Sequence, residues 1–168
     1  IRDCPLPVIA RVQGAAMGGG SGLVAACDLA VAAKGTRFAF SEARLGIVPA
    51  VISPFVLSKV APGPGRELFL TGETFDADRA REIGLVSRVA DAAALDEAVE
   101  ERLQALLAAG PQAQAAIKQL VPRVLAANDP AAMRDFTTRL IAERRASGEG
   151  REGLTAFLER RKPMWMAG

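Results

Sequence analysis

Apolar and polar positions follow two different rhythms along this chain. From Pro7 to Val12 the residues are mostly β-branched or apolar and lead into Gly14, which predicts a short buried strand. After a run of glycines, "GLVAACDLAVAA" is apolar almost throughout. Alanine and leucine favour a helix over about Gly20 to Cys27, and Leu29 to Ala33 favours a second buried strand. Lys34 and Gly35 form a turn, Phe38 to Phe40 a short strand, and Glu42 sits in the loop behind it. "AVISPFVLSKVAP" and "GRELFLTG" read as two short helices, the first started or interrupted at Pro54.

Beyond Glu73 the rhythm becomes that of charged, amphipathic helices. Asp76 or Asp78 can cap a helix that Gly84 ends, and "LVSRVA" follows as a strand. Leu95, Val99, Leu103, Leu106 and Leu107 recur at helical spacing, with Glu97, Glu100, Glu101 and Arg102 between them. Gly110 and Pro111 stop that helix and start another, which runs to about Ala127. Asp129 and Pro130 open a third, with Met133, Phe136, Leu140 and Ile141 turned inward. "SGEGREG" breaks it, and a last helix covers Leu154 to Arg161. The expected organisation is an α/β core over residues 1–90 and a helical region over 91–168, of the kind that covers a ligand cleft or an oligomer interface.

Composition narrows the chemistry. The 168 residues suit one domain, and 21 basic against 19 acidic side chains leave a formal charge of only +2, which is no footprint for nucleic acid. No apolar run reaches the length of a membrane span, and "IRDCPLPVIA" has none of the parts of a signal peptide, so a soluble cytoplasmic protein without a membrane partner is expected. The abrupt start on a β-rich segment suggests that sequence precedes Ile1. Two cysteines make neither a disulfide framework nor a zinc site, and no metal is expected. Cys27 reads as a small buried hydrophobe, and Asp28 as a residue that orders the turn into the next strand. Histidine and tyrosine are both absent, so any acid–base work falls to a carboxylate, a lysine or a cysteine.

The glycine stretch "GAAMGGGSG" has four readings. Apolar flanks argue against a flexible linker. A phosphate-binding P-loop needs a lysine where Gly20 stands, and the dinucleotide fingerprint needs a glycine where Leu23 stands. The fourth reading survives. Glycines between a strand and a helix let a substrate approach the main chain, and the first N–H groups of the helix have no internal partner. Such groups suit a developing negative charge, as on a thioester enolate. A tight turn with close helix packing would account for one or two of the glycines, but not readily for all.

"PVIARVQGAAMGGGSGLVAACDLAVAAKGTRFAFSEARLGIVP", with "LTGETFDADRAREIGLVSRV" and "GREGLTAFLERRKP" after it, resembles the enoyl-CoA hydratase/isomerase (crotonase) superfamily over nearly the whole chain. The resemblance implies a crotonase-like spiral of ββα units with a helical C-terminal region, assembled as a homotrimer or as a hexamer of two trimers. It also implies an acyl-CoA thioester as substrate, with coenzyme A carried by the substrate and no separate cofactor. Family members have further ββα units ahead of this point, which supply a second oxyanion donor.

Residue by residue, the resemblance makes Gly19 an N–H donor to the thioester oxygen and Glu42, in "FSEARLG", an acid/base carboxylate. Met17, Gly18, Gly22, Leu45 and Pro49 are the expected substrate contacts, while Phe157 and Arg160 resemble positions that reach a neighbouring subunit's coenzyme A. Gly22 departs from the pattern, since hydratases carry a glutamate there. One remaining carboxylate fits a double-bond isomerase, or a hydratase using another group or the substrate's own carboxylate, such as one for 3-methylglutaconyl-CoA. Phe38, Phe40, Leu45, Ile47 and Val48 are expected to give Glu42 an apolar neighbourhood suited to acid–base work. The rival reading is a catalytically silent acyl-CoA-binding or scaffold member.

Overall fold

The computed structural model describes residues 1–166. Its chain forms two compact units, one of residues 1–2 and 8–103 and one of residues 3–7 and 104–168.

The first unit is built by a chain that visits two sheets in turn. Strand β1 (Ile9–Val12) lies in one sheet, Gly14 turns the chain at φ +82°, and β2 (Ala15–Met17) lies in the other. Helix α1 (Gly19–Ala26) then returns the chain to β3 (Leu29–Ala33), which pairs parallel to β1 with Ile9 opposite Leu29. The cycle repeats with β4 (Arg37–Ala39), parallel to β2 with Ala16 opposite Phe38. Helices α2 (Ser53–Val56) and α3 (Pro62–Thr71) follow, then β5 (Thr74–Asp76), antiparallel to β4. Helix α4 (Ala77–Glu82) leads to β6 (Arg88–Ala90), which completes the order β1-β3-β6 opposite the sheet β2-β4-β5. This is the ββα spiral the sequence resembles.

Two of these strands escape a reading of the sequence. β2 lies inside the glycine stretch and β5 inside "LTGETFDAD", and each has three residues of which only the middle one, Ala16 or Phe75, is buried. Three residues are too few to show alternation. The cap at Asp76 is as expected, its side chain accepting from Arg79 N at 2.8 Å.

The main core collects Val24, Phe38, Phe40, Val56, Leu68 and Leu85, all under a tenth exposed. Phe40 meets Phe69 edge-on and Phe75 at a tilt, with ring centres 5.1 and 5.6 Å apart, which fixes the end of β4 from which Glu42 emerges. Helix α1 is held at both ends. Ser21 Oγ donates to Ala16 O at 2.6 Å, and the Lys59 ammonium donates to Cys27 O at the helix C-terminus, where burial pushes the lysine below its ordinary pKa. Cys27 is 8% exposed, as a small hydrophobe should be, and the Asp28 carboxylate accepts from Val8 N at 2.7 Å. α5 (Leu95–Leu107) buries Leu95 and Ala98 against Val31 and Ala33, but Leu103 and Leu107 on the same stripe are exposed.

In the second unit α6 (Pro111–Leu125), α7 (Pro130–Ala146) and α8 (Gly148–Leu158) pack through partly buried side chains. Met133, Phe136 and Leu140 are half-buried as expected, whereas Ile141 is 57% exposed. The Arg123 guanidinium lies over the Phe136 ring at 3.8 Å. "SGEGREG" does not break the helical region for long. Ser147 alone makes the corner, its Oγ accepting from Gly150 N at 3.0 Å and donating to Arg144 O at 2.7 Å, and α8 begins at Gly148. Gly150 must be glycine because an added Cβ would stand 1.9 Å from Arg144 O. Glu149, the second residue of α8, accepts from Gln112 N and Ala113 N at 2.8 Å and so caps α6.

The end of the described chain is tied back by one carboxylate. Glu152 takes a two-pronged bond from Arg161 at 2.6 and 3.0 Å and another from Met164 N at 2.9 Å, while Trp165 Nε1 donates to Ala108 O at 3.2 Å. The Arg161 guanidinium, and then the Met164 N–H, hold the Glu152 carboxyl below the usual 4.5. A carboxyl lowered by folding contributes stability that is present above its unfolded value and lost as the pH falls below it. Acidification below pH 4.5 therefore releases this segment, read as a red shift of the emission of Trp165, the single tryptophan. Glu152→Gln shows the red-shifted emission at neutral pH already, and an unshifted spectrum would remove Glu152 from this role.

Candidate active site

The glycine stretch resolves into three parts: a turn at Gly14, strand β2, and the first turn of α1. Gly18 is the residue before the helix, with φ +48° and ψ −116°, a backbone conformation open to glycine and strained for other residues. Its N–H donates to Ala39 O at 2.9 Å, which closes the end of β2 against β4. Gly22 N donates to Gly18 O at 3.1 Å and begins the helical ladder. The N–H groups of Gly19, Gly20 and Ser21 lie in the first turn, where the helix supplies no acceptor. Gly19 is exposed and opens the two-turn helix α1, with the positive end of the helix dipole at its N–H.

Glu42 reaches the same place from the other strand. It sits in the single 3-10 turn Ser41–Leu45 that follows β4, ended by Gly46 at φ +72°. An added Cβ at Gly18 would lie 3.3 Å from Glu42 Oε1 and 3.6 Å from Ser41 Oγ, so the carboxyl rests directly against the Gly18 backbone. The residue is half-buried, and Oε2 is fully buried without a hydrogen-bond partner. A buried carboxylate oxygen without a hydrogen-bond partner is uncommon in a folded protein and calls for an explanation. The first turn of α1 at Gly19 and the Glu42 carboxyl thus flank the same glycine, Gly18.

The other sequence expectations divide. Met17 is 42% exposed at the end of β2, and Pro49 is half-buried beyond the Glu42 turn. Of the apolar neighbours expected around Glu42, Phe38 and Phe40 are wholly buried beneath it, but Leu45, Ile47 and Val48 are 73%, 57% and 73% exposed. They do not enclose it, and Val51 nearby in sequence is exposed as well. Gly22 offers no open face: it is buried, and an added Cβ would meet Ile52 Cγ2 at 2.2 Å. Its packing against Ile52 requires a glycine there. Ile52 had no signal in the sequence, because only the fold brings the start of α2 onto α1.

Phe157 and Arg160 lie in the second unit, at the end of α8. Phe157 is 80% exposed. Arg160 has φ +55°, alone among the described residues other than glycine in taking a positive value. Its N–H donates to Phe157 O and that of Arg161 to Ala156 O, the bonding of a helix stop that normally carries glycine. Among the described residues no helix is long and apolar enough to cross a membrane, and no cluster of histidine, cysteine and acidic residues could hold a metal ion.

Comparison with known proteins gives one answer. The family model for enoyl-CoA hydratase/isomerase matches residues 1–168. Carnitinyl-CoA dehydratase of Citrobacter koseri is 35% identical over 175 aligned positions, covering 98% of this chain and 65% of that protein. Short-chain-enoyl-CoA hydratase of Clostridium acetobutylicum is 32% identical over 157 positions, covering 93% of this chain and 60% of that protein. The crystal structure of an enoyl-CoA hydratase from Shewanella pealeana superposes with a TM-score of 0.92 at 39% identity, over 98% of this chain and 61% of that one. The chain thus spans less than two thirds of the length of these relatives. With the family model matched from end to end and these relatives agreeing, the chain belongs to the enoyl-CoA hydratase/isomerase family.

Proposed function

We propose that the complete protein is an acyl-CoA enzyme that forms a thioester enolate and moves a proton at the acyl α-carbon, with Glu42 as the acid/base and the Gly19 N–H as a donor to the thioester oxygen. The observation that carries this reading is the Glu42 carboxyl, whose Oε1 rests against Gly18 and whose Oε2 is buried without a hydrogen-bond partner. The carboxylate takes the α-proton, the electron pair moves to the thioester oxygen, and the N–H at the start of α1 stabilises the charge that develops there. Return of the proton to carbon 4 of a 3-enoyl thioester completes a double-bond isomerisation. The exposed apolar side chains of Leu45, Val48 and Val51, with Met17 and Pro49, support binding of the acyl chain. Branched or carboxylated enoyl-CoA thioesters with the double bond at carbon 3 are the substrates we favour.

The test is exchange of the α-hydrogens of butyryl-CoA with deuterium from solvent, followed by mass spectrometry on the complete protein. Catalysed exchange supports enolate formation. Binding of butyryl-CoA in a calorimeter without any exchange would favour a silent acyl-CoA-binding member instead.

The same reading gives Phe157 and Arg160 to the coenzyme A of a neighbouring subunit in a homotrimer, or in a hexamer of two trimers. Arg160 supports it by holding a left-handed backbone that costs a non-glycine residue about 1 kcal/mol. Arg160→Gly is therefore expected to raise the melting temperature by about 2–4 °C and to weaken acyl-CoA binding about fivefold, measured by thermal unfolding and calorimetry. Tighter folding with unchanged affinity would leave Arg160 without a part in the site.

A further inference from the structure

We propose that Arg44 is a positioning residue for Glu42: it pins the turn that carries the carboxylate to the C-terminal end of α3, and so holds the carboxyl against Gly18. The inference rests on the proposed function above. Glu42 lies in a single 3-10 turn, Ser41–Leu45, that has little to hold it. None of its five residues is buried, and among the described residues no side chain caps it. Its own bonds run from Gly46 N to Ala43 O at 3.1 Å and from Ile47 N to Glu42 O at 3.2 Å. One short turn closed by such bonds is marginal in water, so its place must be set by what it packs on.

Two links to α3 do this, one on each side of Glu42. Ahead of it, the Phe40 ring meets Phe69 of α3 edge-on at 5.1 Å. Behind it, Arg44 Nε donates to the carbonyl of Thr71, the last residue of α3, at 3.2 Å. The carbonyls of a last helical turn have no donor within the helix and stand at the negative end of its dipole, which suits them to a guanidinium. The stem of Arg44 is seated as well. Gly72, just past α3, has φ +57°, and an added Cβ there would stand 3.0 Å from Arg44 Cγ and 3.5 Å from Cδ and Nε, so the arm lies across the Gly72 backbone. Helix α3 is itself anchored in the main core through Leu68, 2% exposed. Arg44 is exposed, so its bond adds little to the stability of the fold. Its effect falls on where the turn sits.

The test compares the complete wild-type protein with Arg44→Met, Arg44→Lys and Arg66→Met, the last removing another exposed cation, on α3 itself. Each is assayed for kcat and KM of butyryl-CoA α-hydrogen exchange, for melting temperature and for deuterium uptake by the backbone amides of residues 41–47. Arg44→Met is expected to lower kcat about fivefold with KM within about twofold of wild type, the split of a displaced base. Its amides at Gly46 and Ile47 should exchange about fivefold faster, while the melting temperature stays within about 2 °C. Arg44 makes one bond to Thr71 O, not a bidentate pair, so Arg44→Lys should restore kcat to within about twofold. Arg66→Met should match wild type throughout. Unchanged kcat or unchanged amide uptake in Arg44→Met overturns the inference, and so does a rise in KM alone. So does a melting temperature lowered by about ten degrees or more, which would make Arg44 a residue of the fold. Losses in Arg44→Lys or Arg66→Met equal to those in Arg44→Met overturn it too. Absence of α-hydrogen exchange in wild type overturns the proposed function instead, and amide uptake then decides by itself whether Arg44 pins the turn.

Discussion

Glu42→Gln in the complete protein is expected to slow α-hydrogen exchange of butyryl-CoA by about a hundredfold or more, the ordinary contribution of a positioned acid/base. Glutamine keeps the length and shape of the side chain, so its amide can rest against Gly18 where Oε1 rests now. What it loses is the capacity to take a proton. Acyl-CoA affinity should then stay within about threefold of wild type while turnover collapses, because a group that acts only in the transition state leaves ground-state binding alone. The melting temperature serves as the control. None of the 168 residues is a histidine or a tyrosine that could stand in for the carboxylate. Exchange that persists at the wild-type rate would remove Glu42 from the chemistry and leave the donor at Gly19 without its base.

The two halves of this site were unequally legible in the sequence. The donor half follows from local pattern: an apolar strand, glycines, then an alanine-rich run declare a helix start, and the helix begins at Gly19. Glu42 could be named only from its motif, because its meeting with Gly18 depends on the parallel pairing of β2 with β4. β2 itself was invisible, being three residues long with one of them buried. The fit between Gly22 and Ile52 is equally a product of the fold, since a glycine in a helix announces a close approach without naming what approaches.

Apolar sequence misled in one direction. Leu45, Ile47 and Val48 read as an apolar surround for Glu42 and are exposed, while Phe38 and Phe40, named with them, are sealed. The difference is the strand. Phe38 lies within β4 and Phe40 directly follows it, in contact with the aromatic cluster, whereas Leu45 and its neighbours fall on a turn that leads away from both sheets. Composition misled again at "SGEGREG", whose glycines and serine make a one-residue corner where they read as a break. Only the bonds of Ser147 to both helices explain why so little chain suffices there.

Gly18→Ala should damage stability and activity together, and the two losses have separate causes. At φ +48° and ψ −116° an alanine carries backbone strain of about 1–3 kcal/mol, which lowers the melting temperature by several degrees. Its Cβ would also lie 3.3 Å from Glu42 Oε1, tighter than an ordinary contact, so the carboxyl must yield by a few tenths of an ångström. A displaced base is expected to lower α-hydrogen exchange by at least about tenfold, since proton transfer depends steeply on distance and angle. Gly35→Ala separates the two effects. Gly35 also has a positive φ, +80°, but nothing lies within 4 Å of an added Cβ there. That variant should melt lower and still exchange at close to the wild-type rate. If Gly18→Ala loses no more activity than Gly35→Ala, the contact between Gly18 and Glu42 does not position the carboxylate, and the base must be held by the turn at Ser41–Leu45 alone.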